Sequence, residues 1–198
     1  PARQASLDRR IAVKMIQSGA GVDAVAADKF LAEAMVTGEL DHPNIIPIHD
    51  LGKTADGKLF YAMKEIQGQS WDKVIRGNSR EENLRILLAV CDAVGFAHDK
   101  GVIHRDLKPA NVMIGGYGEV LVMDWGLAAS VGSDKAEPLT EHATLAGTPS
   151  YMAPEMALCD YAMMGRTSDI YLLGAILFEI ITGTPPHPGD NAMAAVNA

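Results

Sequence analysis

In the run His104-Arg105-Asp106-Leu107-Lys108-Pro109-Ala110-Asn111, a carboxylate, an ammonium and an amide fall within six positions. Pro109 stiffens the turn between them. Asp124 follows after one short hairpin and precedes Trp125-Gly126. The Asn111 amide and the Asp124 carboxylate, facing one point, make a hard-oxygen site suited to Mg2+. Such an ion would bridge phosphates, such as those of ATP, and neutralise charge as a terminal phosphoryl group leaves. Asp106 is then placed to accept a hydroxyl proton and orient the nucleophile.

These groups need elements to hold them. Residues 10–16, Arg-Ile-Ala-Val-Lys-Met-Ile, carry β-branched residues with Lys14 as the odd charge in the apolar run after Arg10, which predicts a strand. A loop at 17–21 leads to a helix over 23–40, with Phe30, Leu31, Ala34, Met35 and Gly38 on one face. Pro43 stops it. Strands are expected at 45–51 and 58–65, split by the Asp56-Gly57 turn. Gly68-Gln69-Ser70 breaks the pattern, and Ser70 is a candidate cap for a short helix. A long helix over 81–100 has Leu84, Leu87, Leu88, Cys91, Val94 and Ala97 as its expected buried stripe, and Gly101 ends it. Short strands at 112–114 and 120–123 flank Gly115-Gly116-Tyr117-Gly118, read as a hairpin turn because no helix follows it. Residues 127–150 are polar and patternless, a length that marks a functional loop. A second long helix is expected over 170–182. Strands therefore cluster before residue 68 and helices after it, which predicts two lobes with a cleft between them.

The chain has 198 residues, 48% of them hydrophobic, enough for a sizeable core. Its net charge of −8 argues against a general grip on nucleic acid. Cys91 and Cys159 stand far apart with no metal-ligand spacing, so they read as reduced thiols of an intracellular protein. The most apolar stretch, 170–181, carries Glu179 and is too short to span a bilayer. His42 and His49 read as turn and surface residues, and the methionines as core filler.

Taken in order, Ile11-Ala12-Val13-Lys14, Glu33, the 104–111 run, Asp124-Trp125-Gly126 and Ala153-Pro154-Glu155 resemble the signature set of the protein kinase superfamily. Any one of these pieces is weak; Lys14 alone reads as a solvated charge on a strand, and Glu33 alone as a solvated helix residue. The order and separations of the five carry the resemblance. The wording of Gly-Val-Ile-His-Arg-Asp and Ser-Tyr-Met-Ala-Pro-Glu is most similar to bacterial eukaryotic-like Ser/Thr kinases.

The resemblance implies an α+β, bilobal fold: a small β-rich lobe with one helix over 1–66, and a helical lobe over 67–198 containing an activation segment, 124–155. It implies that Lys14 holds the α- and β-phosphates and pairs with Glu33, that Asp106 is the catalytic base, and that Lys108 sits near the transferred phosphoryl. Asn111 and Asp124 bind Mg2+ (or Mn2+). Ala12 and the segment from Met63 to Ile66 face adenine, with Met63 as gatekeeper and the backbone of Lys64 and Ile66 bonding the base. Lys108 and Thr148, the latter close to Asp106, point to Ser/Thr acceptors. Asp169 braces the catalytic loop, and His104 packs on Trp125 in a structural role. Arg105 implies control by a phosphothreonine, with Thr140 and Thr144 as candidates. The implied partners are ATP, proteins bearing Ser or Thr, and a second copy for phosphorylation in trans, in a cytoplasmic domain.

The pattern also departs from the family. No Gly-rich loop is visible, the first residues resemble the strand that follows it, and the chain ends soon after the 170–182 helix. Both lobes are therefore expected to be truncated, and Glu155 to lack the arginine it usually meets. Trp125 stands where phenylalanine is usual. The rivals to a protein kinase are a binding or scaffold module without turnover and a small-molecule phosphotransferase of related fold. Intact Lys14, Asp106, Asn111 and Asp124 weigh against the first, and Ala-Pro-Glu with Thr148 against the second.

Overall fold

A computed structural model describes residues 1–16, 24–131 and 146–187. The first half is built on an antiparallel sheet of β1 (Ala2–Gln4), β2 (Arg9–Met15), β3 (Ile48–Lys53) and β4 (Leu59–Lys64), in the order β1-β2-β4-β3. Helix α1 (Ala24–Glu39) joins β2 to β3 and packs Phe30 and Ala34 against Tyr61 of β4. Its buried face is Phe30, Glu33, Ala34 and Thr37, while Met35, expected inside, is exposed. Glu33 can hold an inner position because its Oε1 accepts from Lys14 and Tyr61, as described below.

The second half is α2 (Arg80–Asp99) against α4 (Arg166–Thr182), with α3 (Pro154–Ala157) between them in sequence. Between these helices run β5 (Gly68–Ser70), β6 (Val102–Ile103), β7 (Val112–Gly115), β8 (Val120–Val122) and β9 (Ala129–Ser130), which pair as β5-β7-β8 and β6-β9. Helix α2 starts in a reciprocal cap: Ser79 accepts from the Glu82 N–H while Glu82 accepts from the Ser79 N–H. Helix α4 ends at Gly183, whose φ of 84° suits a residue without a side chain.

Three expectations change here. The α2 stripe is rotated. Asn83, Ile86, Val90, Ala93 and His98 are buried with Leu87, Val94 and Ala97, whereas Leu84 and Leu88 face outward. Asn83 and His98 hold inner positions because each has a buried partner, Trp71 Nε1 for Asn83 and Asp169 for His98. Residues 68–70 form a strand rather than a break. A Cβ on Gly68 would lie 2.0 Å from the Ile114 carbonyl oxygen, so only glycine lets β5 pair with β7 at this point. Ser70 precedes a 3-10 turn, Trp71–Lys73, but gives it no side-chain cap.

The two halves are stitched by the segment before β3. Val122 N–H donates to the Asn44 carbonyl (2.8 Å), Ile46 N–H to the Val122 carbonyl (3.1 Å), and the Asn44 side chain to the Val120 carbonyl (2.9 Å). The main core, around Trp71, Val90, Leu107, Trp125, Leu172 and Ile176, lies beneath this seam. The result is an α+β arrangement with a small antiparallel sheet and several helices.

Candidate active site

The 104–111 run is held open by its neighbours. Arg105 has φ of 65°, a left-handed conformation costly for a residue with a Cβ. It persists because Asp169, fully buried on α4, accepts from the His104 N–H and the Arg105 N–H, each at 2.8 Å. His98 of α2 bonds the same carboxylate, Nε2 to Oδ2 at 2.8 Å. His104 packs its ring against Trp125 at 4.6 Å and bonds the Met123 carbonyl at 3.1 Å, the structural placement expected of it.

Asp106 then meets three groups. Lys108 Nζ donates to its Oδ2 (2.8 Å), the Thr148 hydroxyl donates to its Oδ1 (2.8 Å), and Asn111 Nδ2 reaches its backbone oxygen (2.8 Å) and Oδ2 (3.1 Å). Lys108 Nζ also donates to the Thr148 hydroxyl at 2.6 Å. A hydroxyl is thus gripped by a carboxylate and an ammonium at once. The Asn111 amide spends its N–H on Asp106, so Oδ1 is the atom left to face a cation. Asp124 has φ of 61° and a side chain 53% exposed, with Oδ1 3.8 Å from Lys14 Nζ.

Lys14 comes from β2 and pairs with Glu33 of α1 at 2.6 Å. Tyr61, directly across the sheet from Lys14, donates its hydroxyl to the same Glu33 oxygen at 2.7 Å. Burial first, and then the Glu33 carboxylate, push the Tyr61 phenol well above its ordinary pKa, so it stays a donor. This pins Glu33 from two sides in a partly dry setting.

Beside these groups lie two cavities that share Ile46, Met63 and Met123. One, of about 220 Å³, is lined by Ala12, Lys64, Glu65, Ile66 and Met113 as well. The other, of about 190 Å³, reaches Lys14, Glu33, Thr37, Tyr61 and Asp124. The Lys64 N–H already donates to the Pro47 carbonyl (3.2 Å), so any bond from the Lys64 backbone to a base has to come from its carbonyl. Ala12, Lys14, Glu33, Met63, Lys64, Ile66 and Asp124 therefore line these two adjoining cavities, while Asp106, Lys108, Asn111 and Thr148 form a separate cluster tied to their shared wall by the Met123 N–H, which donates to the Asn111 carbonyl at 2.8 Å.

Arg105 points its Nε to the Leu127 carbonyl at 2.6 Å. Burial lowers its pKa, with Asp169 opposing. Thr140 and Thr144 lie outside the described residues. Glu155, expected to lack a partner, accepts from the Ser168 hydroxyl of α4 on Oε1 at 2.6 Å. Sequence reading missed Tyr61, His98, Met113 and Met123. No spacing rule reaches them, since Tyr61 and Glu33 are 28 residues apart and His98 and Asp169 are 71 apart. Among the described residues no cluster of three or more His, Cys, Asp or Glu could hold a metal, which leaves the Asn-plus-Asp donor set as the candidate.

The protein kinase domain model matches residues 2–198, and the chain belongs to that family. It is 36% identical over 208 residues to the serine/threonine-protein kinase PknD of Protochlamydia amoebophila, covering 90% of this chain and 21% of that protein. It is 36% identical over 194 residues to a probable serine/threonine-protein kinase PknB of Corynebacterium glutamicum, covering 95% of this chain and 30% of the relative. Against the serine/threonine-protein kinase PknB of Mycobacterium tuberculosis it is 34% identical over 199 residues, covering 98% and 31%. The chain thus spans less than a third of the length of these relatives. Membership implies use of ATP and a divalent metal. Among the described residues no helix is long and apolar enough to cross a membrane.

Proposed function

We propose that this chain is the catalytic segment of a serine/threonine protein kinase, which transfers the terminal phosphoryl of ATP to Ser and Thr hydroxyls of proteins in signal transduction. The observation that carries the reading is the three-way contact of Asp106, Lys108 and the Thr148 hydroxyl, at 2.6 to 2.8 Å. It supports a site in which a carboxylate can take a hydroxyl proton while an ammonium lies beside the same oxygen.

In this reading Asp106 orients the acceptor hydroxyl and accepts its proton. Lys108 offsets negative charge on the group in transfer. Lys14, held by Glu33, grips the α- and β-phosphates. Ala12, Met63, Lys64 and Ile66 enclose the adenine, with the Lys64 carbonyl and the Ile66 backbone bonding the base. The Asn111 amide oxygen and the Asp124 carboxylate hold Mg2+ (or Mn2+); both are hard oxygen donors, which fits. When bound, that ion neutralises phosphate charge. Arg105, next to Asp106, pairs with a phosphate on Thr140 or Thr144 when one of them is phosphorylated. The domain acts in the cytoplasm, divided into lobes near residue 66, and a second copy supplies phosphorylation in trans.

The acceptor class is tested by phosphoamino-acid analysis of proteins labelled from ATP by the full-length protein. Phosphoserine and phosphothreonine are expected. Label confined to phosphotyrosine or to a small molecule would overturn the assignment.

A further inference from the structure

A cavity of about 490 Å³ lies between the start of α2 and the end of α4, away from the nucleotide region. Its lining includes Arg76, Asn78, Arg80, Asn83, Glu179 and Gly183. Asn83 is spent internally: its amide donates to the Ile75 carbonyl and its oxygen accepts from Trp71 Nε1. Arg76 and Arg80 are exposed, and neither is ion-paired among the described residues. Two unpaired guanidinium groups over one hollow stand out in a chain of net charge −8.

Glu179 is the countercharge in the wall, but it is buried and accepts the Tyr151 hydroxyl at 2.5 Å. Burial, and then this carboxylate, keep Tyr151 protonated, with Asp72 acting in the same direction and Arg76 against it, so Arg76 lies within electrostatic reach of the same pair. Tyr151 closes the 3-10 turn Pro149–Tyr151 that follows Thr148, and Thr148 bonds Asp106. The cavity wall is therefore tied to the segment that meets the acceptor hydroxyl.

We propose that this cavity receives an anionic side chain of the acceptor protein, a carboxylate or a phosphorylated hydroxyl, between Arg76 and Arg80. Guanidinium forks match both groups bidentately. Because Thr148 and Tyr151 belong to one short turn, the anionic residue stands a few positions from the acceptor. This deepens, and rests on, the protein-kinase reading.

The test uses fluorescent peptides with Ala in place of the acceptor hydroxyl, carrying Glu, phosphoserine, Ala or Lys three or four positions to either side. Their binding to the full-length protein is read by anisotropy. The Glu and phosphoserine peptides are expected to bind at least tenfold tighter than the Ala peptide, and the advantage to vanish in the Arg76→Ala/Arg80→Ala double variant. Equal affinity of the Glu, phosphoserine and Ala peptides, an advantage that survives the double variant, or tightest binding by the Lys peptide would each overturn the proposal; the last would give the cavity to Glu179. Since these peptides cannot be phosphorylated, the outcome is independent of turnover. A protein that transfers phosphoryl but shows no charge preference loses only this inference, and one that binds as expected but never transfers phosphoryl loses the kinase reading.

Discussion

Trp125 is nearly fully buried, yet its indole N–H meets no acceptor among the described residues. An unsatisfied buried donor costs about 1–3 kcal/mol. Phenylalanine would remove that donor but leave space beside His104. The two effects oppose each other, so Trp125→Phe is expected to shift stability by less than about 1.5 kcal/mol. Trp125→Ala removes the same donor but also nearly all of the packing, and is expected to cost about 3–5 kcal/mol. Urea denaturation compares the two, and a Phe variant as unstable as the Ala variant would show that Nε1 has a partner. At this scale the sequence was legible where a short motif fixes neighbours, as in 104–111. Tyr61 was not legible: nothing in an apolar strand says that one tyrosine will face a glutamate on a helix.

At the scale of elements, strands and helices were readable from period and punctuation, but their faces were not always. Asn83 and His98 look solvated by type, and only their distant partners, Trp71 and Asp169, reveal them as inner positions. The two-residue pairing of β6 with β9 lies below any periodic signal, and Gly68 signals a break unless the Ile114 carbonyl is known to sit against it. The caps are readable and testable. Ser79→Ala is expected to cost about 1 kcal/mol at neutral pH by denaturant unfolding. Glu82 is held below its ordinary pKa mainly by the Ser79 hydroxyl and backbone. A carboxyl depressed in the folded state adds stability above its unfolded pKa and loses it as pH falls through the folded value. The gap between wild type and Ser79→Ala should therefore narrow in acid; a gap independent of pH would contradict the bond from the Ser79 hydroxyl to the Glu82 carboxylate. His98 joins α2 to α4 through Asp169. His98→Leu removes one of three donors to a buried carboxylate and should cost about 1–3 kcal/mol. Because Asp169 orients the loop that carries Asp106, kcat should fall several-fold with the KM for ATP unchanged, and His98→Gln should restore part of it. Equal kcat for His98→Leu and wild type would remove His98 from the positioning of that loop.

The whole molecule brings together groups that no single element holds. Lys14 and Glu33 come from the sheet and α1, Asp106 and Asn111 from the loop after β6, and Asp124 from the turn after β8. Segregated strands and helices made the α+β class legible in the sequence, and motif order made the constellation legible. The seam from Asn44 to Val122, which sets the halves against each other, was not, because it is built mostly from backbone groups. The contact of Asp106 with Lys108 and a hydroxyl remains the centre of the account. Its most direct test is the rate of phosphoryl transfer from Mg-ATP to a Ser/Thr peptide by the full-length protein and by its Asp106→Asn variant, with both shown to bind nucleotide equally. Loss of the carboxylate should lower kcat by at least about a hundredfold. Equal rates from the two proteins would contradict the role of Asp106, and with it the assignment of this site.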